Sequence, residues 1–336
     1  MKLLCELSKE HSTLPKAEIK AGLAAEEIQV QTIEEHNNLS IFDISTPAKN
    51  LQHLFTRLAL TFHFYDLLFS CEPDLNILQQ QLKQIKQLPP GTIAISKKNL
   101  TAQYDTKPIL HYLQTHFTKN RTVNLTNPTH HLNLFFTNEQ IYVGRLLHTN
   151  NRKQYEQRKV QYRPFFSPIS LHPKWARTLV NLSQIKRNQT LLDPFCGTGG
   201  ILLEAGLLGI NIIGSDIEEK MIIGCKQSLN HYSIQNFMVF QADISELPKK
   251  LIKPVDAVVT DFPYGRSTTT KKEDIQALYH RAYRTIAEIL KKNGRAVIGL
   301  SDTKTIPQAQ HDLELIEIHE FRVHKSLTRY FCVFQK

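Results

Sequence analysis

The chain has 336 residues, 41% hydrophobic and 21% charged, with a formal charge of +10, enough for two or three domains with sizeable cores and for a polyanionic partner. No run of about 18 apolar residues occurs, so no membrane-spanning helix is expected, and the apolar run in MKLLCELSKEH is too short for a signal peptide. Five widely spaced cysteines (Cys5, Cys71, Cys196, Cys225, Cys332), odd in number and without a CxxC pair, argue against a disulfide framework or a zinc site and for reduced thiols in a cytoplasmic protein.

LLCELS (3–8) reads as a strand. LPKAEIKAGLAA (14–25) reads as a helix, with Ser12 or Thr13 as its cap and Pro15 in the first turn. IQVQTIE and LSIFDIS alternate as strands, residues 47–60 have helical spacing behind Pro47, and FHFYDLLF closes the group as a strand. This β-α-β-β-α-β order predicts a ferredoxin-like domain over residues 1–72. Glu72-Pro73-Asp74 marks its end. LNILQQQLKQIKQL (75–88) is an amphipathic helix stopped by Pro89-Pro90-Gly91. TIAISKKN is a strand carrying Lys97 and Lys98, KPILHYLQTHF (107–117) is a helix, and residues 122–147 alternate as two or three strands with a turn at Asn138-Glu139. His130 and His131 are adjacent, so on a strand they face opposite sides and cannot share a metal.

Residues 150–172 read as an extended linker. Between Ile141 and Thr190 stand ten bases (Arg145, Arg152, Lys153, Arg158, Lys159, Arg163, Lys174, Arg177, Lys186, Arg187) against Glu156 alone, while the rest of the chain is nearly balanced. Almost the whole positive excess therefore lies in one stretch, which fits a nucleic acid better than a merely solvated face. Tyr155, Tyr162, Phe165 and Phe166 are interleaved with these bases. Bases and aromatics together suit phosphate contact and base stacking, although packing between domains suits Phe165 and Phe166 better.

From residue 173 the pattern changes to alternating strands and helices. Thr190–Leu192 is a short apolar run ending at Asp193, followed by the turn Pro194-Phe195-Cys196-Gly197-Thr198-Gly199 and the helical run ILLEAGLLG. Asp216, Asp243 and Asp261 end three further apolar runs, with helices near 200–208, 218–231 and 273–291 between them. Four acids thus fall on one rim of a parallel sheet, where open α/β folds bind ligands. GRAVIGL (294–300) is a fifth strand, a short helix near 304–311 follows, and LELIEIHEFRV and YFCVFQK close the chain as two strands.

The order Asp-x-x-x-Gly-x-Gly, then Asp216, Asp243 and Asp261-Phe262-Pro263-Tyr264, resembles S-adenosylmethionine-dependent amino-methyltransferases. Arg-Pro-Phe-Phe followed by HPKWARTLVNL resembles the segment before the cofactor loop in archaeal-type tRNA guanine-N2 methyltransferases, which act at position 10 of tRNA. The layout of 73–149 and its closing NEQIYVGRLL look like a THUMP RNA-binding domain. The resemblance implies an α/β architecture: a class I, Rossmann-like methyltransferase domain with a seven-stranded sheet over 173–336, preceded by ferredoxin-like and THUMP domains of α+β type. It implies that Asp193 to Gly199 wrap the methionine end of the cofactor and that the helix 173–182 covers the pocket. Asp216 with Ile217 would take the ribose, Asp243 with Ile244 the adenine, and Asp261 would also border the cofactor. Asp261 would accept one N–H of the target amine, the Phe262 carbonyl the other, Pro263 would fix the turn and Tyr264 would stack on the base. Phe262 departs from the family's usual proline, but either residue offers a carbonyl. Lys97, Lys98, Arg152, Lys153, Arg158, Lys159, Arg163 and Arg266 are the candidate RNA contacts. No metal is expected, since transfer from a sulfonium needs none.

The expected activity is methylation of guanine N2 in tRNA, once or twice. A guanine at another tRNA position or in ribosomal RNA is the near alternative. A non-catalytic RNA-binding protein with a retired cofactor fold is the distant one, and the complete acid series argues against it. A small activating subunit is compatible with the resemblance.

Overall fold

The computed structural model describes residues 1–45, 48–85, 87–167, 170–263, 274–324 and 327–336. In chain order the elements are β1 (Lys2–Leu7), α1 (Leu14–Ala25), β2 (Val30–His36), β3 (Leu39–Ile44), α2 (Ala48–Arg57), β4 (Thr61–Cys71), α3 (Leu75–Gln84), β5 (Ile93–Asn99), α4 (Lys107–Thr118), β6 (His130–Phe136) and β7 (Ile141–Thr149). There follow α5 (Lys153–Gln157), α6 (Pro173–Leu182), β8 (Thr190–Asp193), α7 (Gly200–Gly206), β9 (Asn211–Asp216), α8 (Glu219–His231), β10 (Phe237–Gln241), α9 (Leu247–Lys250), β11 (Val255–Asp261), α10 (Ile275–Ile289), β12 (Leu290–Leu300), α11 (Ile306–Ala309), β13 (Glu314–His324) and β14 (Leu327–Gln335).

The chain divides into two compact units, one of 1–9, 28–51 and 61–150, the other of 10–27, 52–60 and 151–336. In the first unit all seven strands form one sheet in the order β2-β3-β1-β4-β7-β6-β5. The boundary expected at 72/73 thus falls inside a sheet, with Cys71 at the end of β4 opposite Ile141 of β7. Strands β5 and β6 run parallel, which requires a crossover between them, and α4 supplies it. Leu78 and Leu82 of α3 and Ile109, Leu113 and Phe117 of α4 pack with Leu132, Leu134 and Phe136 of β6.

The second unit holds another seven-stranded sheet, ordered β10-β9-β8-β11-β12-β14-β13. Its first five strands are parallel, and β14 pairs antiparallel with both β12 and β13. Successive strands step outward from β8 through β9 to β10, then return to β8's other side at β11. That reversal opens a crevice at the strands' carboxyl ends. Leu179 of α6, Leu202 of α7 and Cys225 of α8 belong to one apolar core, and Leu278 and Ile286 of α10 to another.

Helix α1 falls in this second unit rather than with the strands that flank it in sequence. Its buried Glu18 accepts hydrogen bonds from the Ala59 and Leu60 amides at 2.9 and 2.8 Å and from the Asn181 side chain of α6 at 2.8 Å. Arg57 closes the same knot. Its Nε donates to Asn181 Oδ1 at 3.1 Å, Nη1 to Glu26 at 2.6 Å and Nη2 to the Ile185 carbonyl at 2.9 Å. Side-chain contacts between residues more than 120 positions apart decide this grouping.

Residues 150–172 are not extended throughout, as α5 and a 3₁₀ turn at Val160–Tyr162 show. Tyr155 is buried in the core of the second unit, and the Arg158 guanidinium grips Glu204 with two hydrogen bonds, 2.7 and 3.0 Å. An apolar anchor and a bidentate ion pair hold the segment down. Among the described residues no helix is long and apolar enough to cross a membrane, and no cluster of His, Cys, Asp or Glu suits a metal.

Candidate active site

The first parallel strand delivers Asp193, 2% exposed, to the crevice. Its Oδ1 accepts the Phe195 amide at 3.2 Å, folding the chain back into the glycine turn. Burial pushes this carboxyl up to about 7, with Asp216 and Asp261 adding to the effect. The turn is pinned along its length. Ser215 donates to the Pro194 carbonyl at 3.2 Å and accepts the Cys196 amide on its own carbonyl at 2.9 Å. The Gly199 amide donates to the Cys196 carbonyl at 2.8 Å, and the Thr198 hydroxyl meets Ser170 at 3.1 Å.

Gly197 and Gly199 have φ of 49° and 79°, a region that a Cβ disfavours. At Gly199 a Cβ would also stand 2.5 Å from the Cys225 sulfur, whereas at Gly197 it would enter open space. The first glycine therefore faces a void and the second makes the turn possible.

Asp216 at the tip of β9 does more than the sequence reading asked of it. Its Oδ2 accepts the Gly197 amide at 2.9 Å and Oδ1 the Glu218 amide at 3.0 Å, so it shapes the turn itself. Burial raises its carboxyl, against the pull of those two amides. The neighbouring Ile217 carbonyl accepts from Gln241 at 2.9 Å. Asp243 caps a 3₁₀ turn, taking the Ser245 amide at 2.9 Å, while Glu246 takes the Asp243 amide at 3.1 Å. Partial burial opposes ionisation of Asp243, but Ser245 and Arg281 hold its carboxyl below the usual range. Ile244 behind it is core. Arg281 lies in a helical stretch whose sequence marks no site, so only the fold reveals it.

Asp261 ends β11 beside this loop. Phe262 donates its amide to the Gly299 carbonyl at 2.9 Å, a bond that proline could not make. Its ring is 1% exposed and packs against Phe195, Tyr279 and Tyr283 with centroids 5.2, 4.8 and 5.5 Å away. The departure from proline therefore anchors the turn by one hydrogen bond and one aromatic cluster. The Tyr279 hydroxyl donates to the Pro263 carbonyl at 2.7 Å. Arg329 of β14, also unforeseen, lies 3.3 Å from Asp261. Tyr264 and Arg266 lie outside the described residues.

Two expected RNA contacts require correction. Arg158 and Arg163 are 8% and 5% exposed, so neither guanidinium is presented to a phosphate backbone. Arg158 is committed to Glu204. Arg163 donates Nε to the Arg158 carbonyl at 2.9 Å, and its two terminal nitrogens have no hydrogen-bond partner. A Cβ on Gly200 would stand 3.2 Å from its Nη1. Most of the bases in the stretch are also paired, nearly all with acids from elsewhere in the chain. Arg145 pairs with Asp66, Arg152 and Lys174 with Glu10, Lys159 with Glu156, Arg177 with Glu204 and Lys186 with Glu27. Lys98 pairs with Glu6 at 2.6 Å. Lys97 and Lys153 are exposed.

A strand, a left-handed glycine turn and a helix at a sheet reversal, with acids on the next strand tips, define a Rossmann-type methyltransferase domain. The family model described as RMKL-like, methyltransferase domain, matches residues 160–330. The chain is 30% identical to the tRNA (guanine(10)-N2)-dimethyltransferase of Methanothermobacter thermautotrophicus, with 100% of each chain covered. It is 31% identical to the Pyrococcus abyssi protein of the same name, with 96% of each covered. The chain belongs to the family of these archaeal dimethyltransferases.

Among solved structures, TrmN from Thermus thermophilus is similar over 100% of both chains at 16% identity and a TM-score of 0.56. A methyltransferase, SMU.472, complexed with SAH is similar over 98% of this chain and 97% of its own at 15% identity and a TM-score of 0.51. Both share the fold. The cofactor of the family is S-adenosylmethionine, and the residues here fit it: open space at Gly197, an acid at the tip of β9, and beside the turn a buried guanidinium whose terminal nitrogens have no hydrogen-bond partner.

Proposed function

We propose that the chain methylates the exocyclic N2 of guanine 10 in tRNA, once and then again, in the cytoplasm. The observation that carries this reading is Asp261 at the tip of β11, on the Asp-Phe-Pro turn, at the sheet reversal and beside the glycine loop. When bound, S-adenosylmethionine supplies a methyl group on a sulfonium for an in-line displacement. The chain's task is to make a poor nucleophile available. The lone pair of the guanine amine is delocalised into the ring. Asp261 accepts one N–H and the Phe262 carbonyl the other, since Tyr279 occupies the Pro263 carbonyl. Accepting both draws nitrogen toward tetrahedral geometry and exposes its lone pair. Holding nitrogen, methyl and sulfur in line supplies much of the rest. Tyr264 stacks on the flipped base.

Arg163 answers the carboxylate at the methionine end of the cofactor. Arg163→Ala is expected to weaken S-adenosylhomocysteine binding by roughly 10- to 100-fold, the worth of a charge-assisted contact. Its affinity for methylthioadenosine, which lacks the amino-acid tail, should be unchanged. Calorimetry with both ligands checks this, and equal losses for both would contradict it.

The first unit takes the place of the THUMP module and grips the tRNA, with Lys97 as a contact there and Arg152, Lys153 and Lys159 as contacts from the second unit. Lys97→Ala and Lys153→Ala should each lower the slope of log affinity against log salt by about 0.7, read from filter binding at several salt concentrations. Single-turnover assays of the purified chain, with and without a cell extract, decide whether an activating subunit is needed.

A further inference from the structure

Asp261 is held by a neighbour two strands away. In register Asp261 faces Gly299 of β12, and Gly299 faces Phe331 of β14. A Cβ on Gly299 would stand 2.2 Å from Asp261 Oδ1, so the carboxylate lies over this glycine. Beyond it, Arg329 of β14 brings Nη2 to 3.3 Å from Oδ2. The two side chains are 18% and 10% exposed, so the charges meet where water screens them little.

The surroundings make that cation matter. Around Asp261, among the described residues, stand Asp193 on β8 with Asp216 behind it on β9, Tyr279 on α10 with Asp302 beyond it, and Arg329 on β14. Arg329 is the one cation in that set. Carboxylates crowded together resist ionising together. A protonated Asp261 would offer a hydrogen where the amine needs an acceptor.

We propose that Arg329, reaching across Gly299, positions the Asp261 carboxylate and keeps it an acceptor over the working pH range without itself touching the base. This rests on the role given to Asp261 above. The test is the pH dependence of single-turnover methylation of a tRNA transcript, together with S-adenosylhomocysteine affinity, for Arg329→Met, Arg329→Gln and Arg329→Lys. Loss of an opposite charge at this distance should move the acid limb of the Met and Gln profiles up by about 1–2 pH units. On the acid side of the wild-type limb the rate then falls about 10- to 100-fold, and it recovers above the shifted limb. Lysine should restore most of the loss, and ligand affinity should stay within about twofold. Gly299→Ala, which crowds the carboxylate, should lower the rate at every pH.

A pH-independent loss in both Met and Gln, or an unmoved profile, overturns the inference. Should Asp261→Asn retain the wild-type rate, the role of Asp261 itself fails. An inactive Asp261→Asn beside an unshifted Arg329→Met profile sinks only the role of Arg329.

Discussion

Replacing Asp261 by alanine is expected to cut the single-turnover rate by about 10³-fold while S-adenosylhomocysteine still binds. Once the carboxylate is gone, the Phe262 carbonyl alone cannot hold both amine hydrogens, and nitrogen stays planar and conjugated. Cofactor affinity should survive, because the glycine turn is held by Asp193, Ser215 and Asp216 rather than by Asp261. Quenched-flow methylation and calorimetry on one preparation separate the two quantities. A variant within tenfold of wild type would place the acceptor elsewhere.

The second large effect concerns stability. Glu204 on α7 is fully buried between Arg158 and Arg177, whose side chains are 10% and 5% exposed. Arg158 donates at 2.7 and 3.0 Å and Arg177 at 3.1 Å. Glu204→Ala would leave two buried guanidiniums without the carboxylate they share. Breaking such a buried group costs about 3–5 kcal/mol, which chemical denaturation of the second unit would register. Glu156, 59% exposed and paired with Lys159 and His172, is the control. Its alanine variant should unfold close to wild type, because exposed pairs contribute little.

These two residues mark what the sequence could and could not announce. Asp261 was legible because its signal is local: a short apolar run, an acid and a proline turn, repeated along an alternating chain. Asp193 and Asp216 were legible for the same reason. Glu204 reads in sequence as one acid inside an amphipathic helix. Its partners lie 27 and 46 positions away, and no periodicity links them. Arg329 and Gly299 became meaningful only when β14 was set antiparallel against β12. The grouping of α1 with the methyltransferase unit depends on Glu18 and Asn181, 163 positions apart.

The basic stretch misled in an instructive way. Ten bases against one acid is a property of the string, yet Glu10, Glu27, Asp66 and Glu204 arrive from elsewhere in the fold to meet six of them. Charge density along the chain therefore overstates the field presented to RNA. Lys97, Arg152, Lys153 and Lys159 remain the proposed RNA contacts, and Arg163 passes to the cofactor.

The most direct test is mass spectrometry of nucleosides from an unmodified tRNA transcript incubated with the protein and S-adenosylmethionine, beside a transcript carrying adenosine at position 10. N2-methylguanosine followed by N2,N2-dimethylguanosine in the first, and neither in the second, is the predicted result. Methyl groups on adenine N6, or none on nucleic acid at all, would contradict the assignment of Asp261 to a guanine amine.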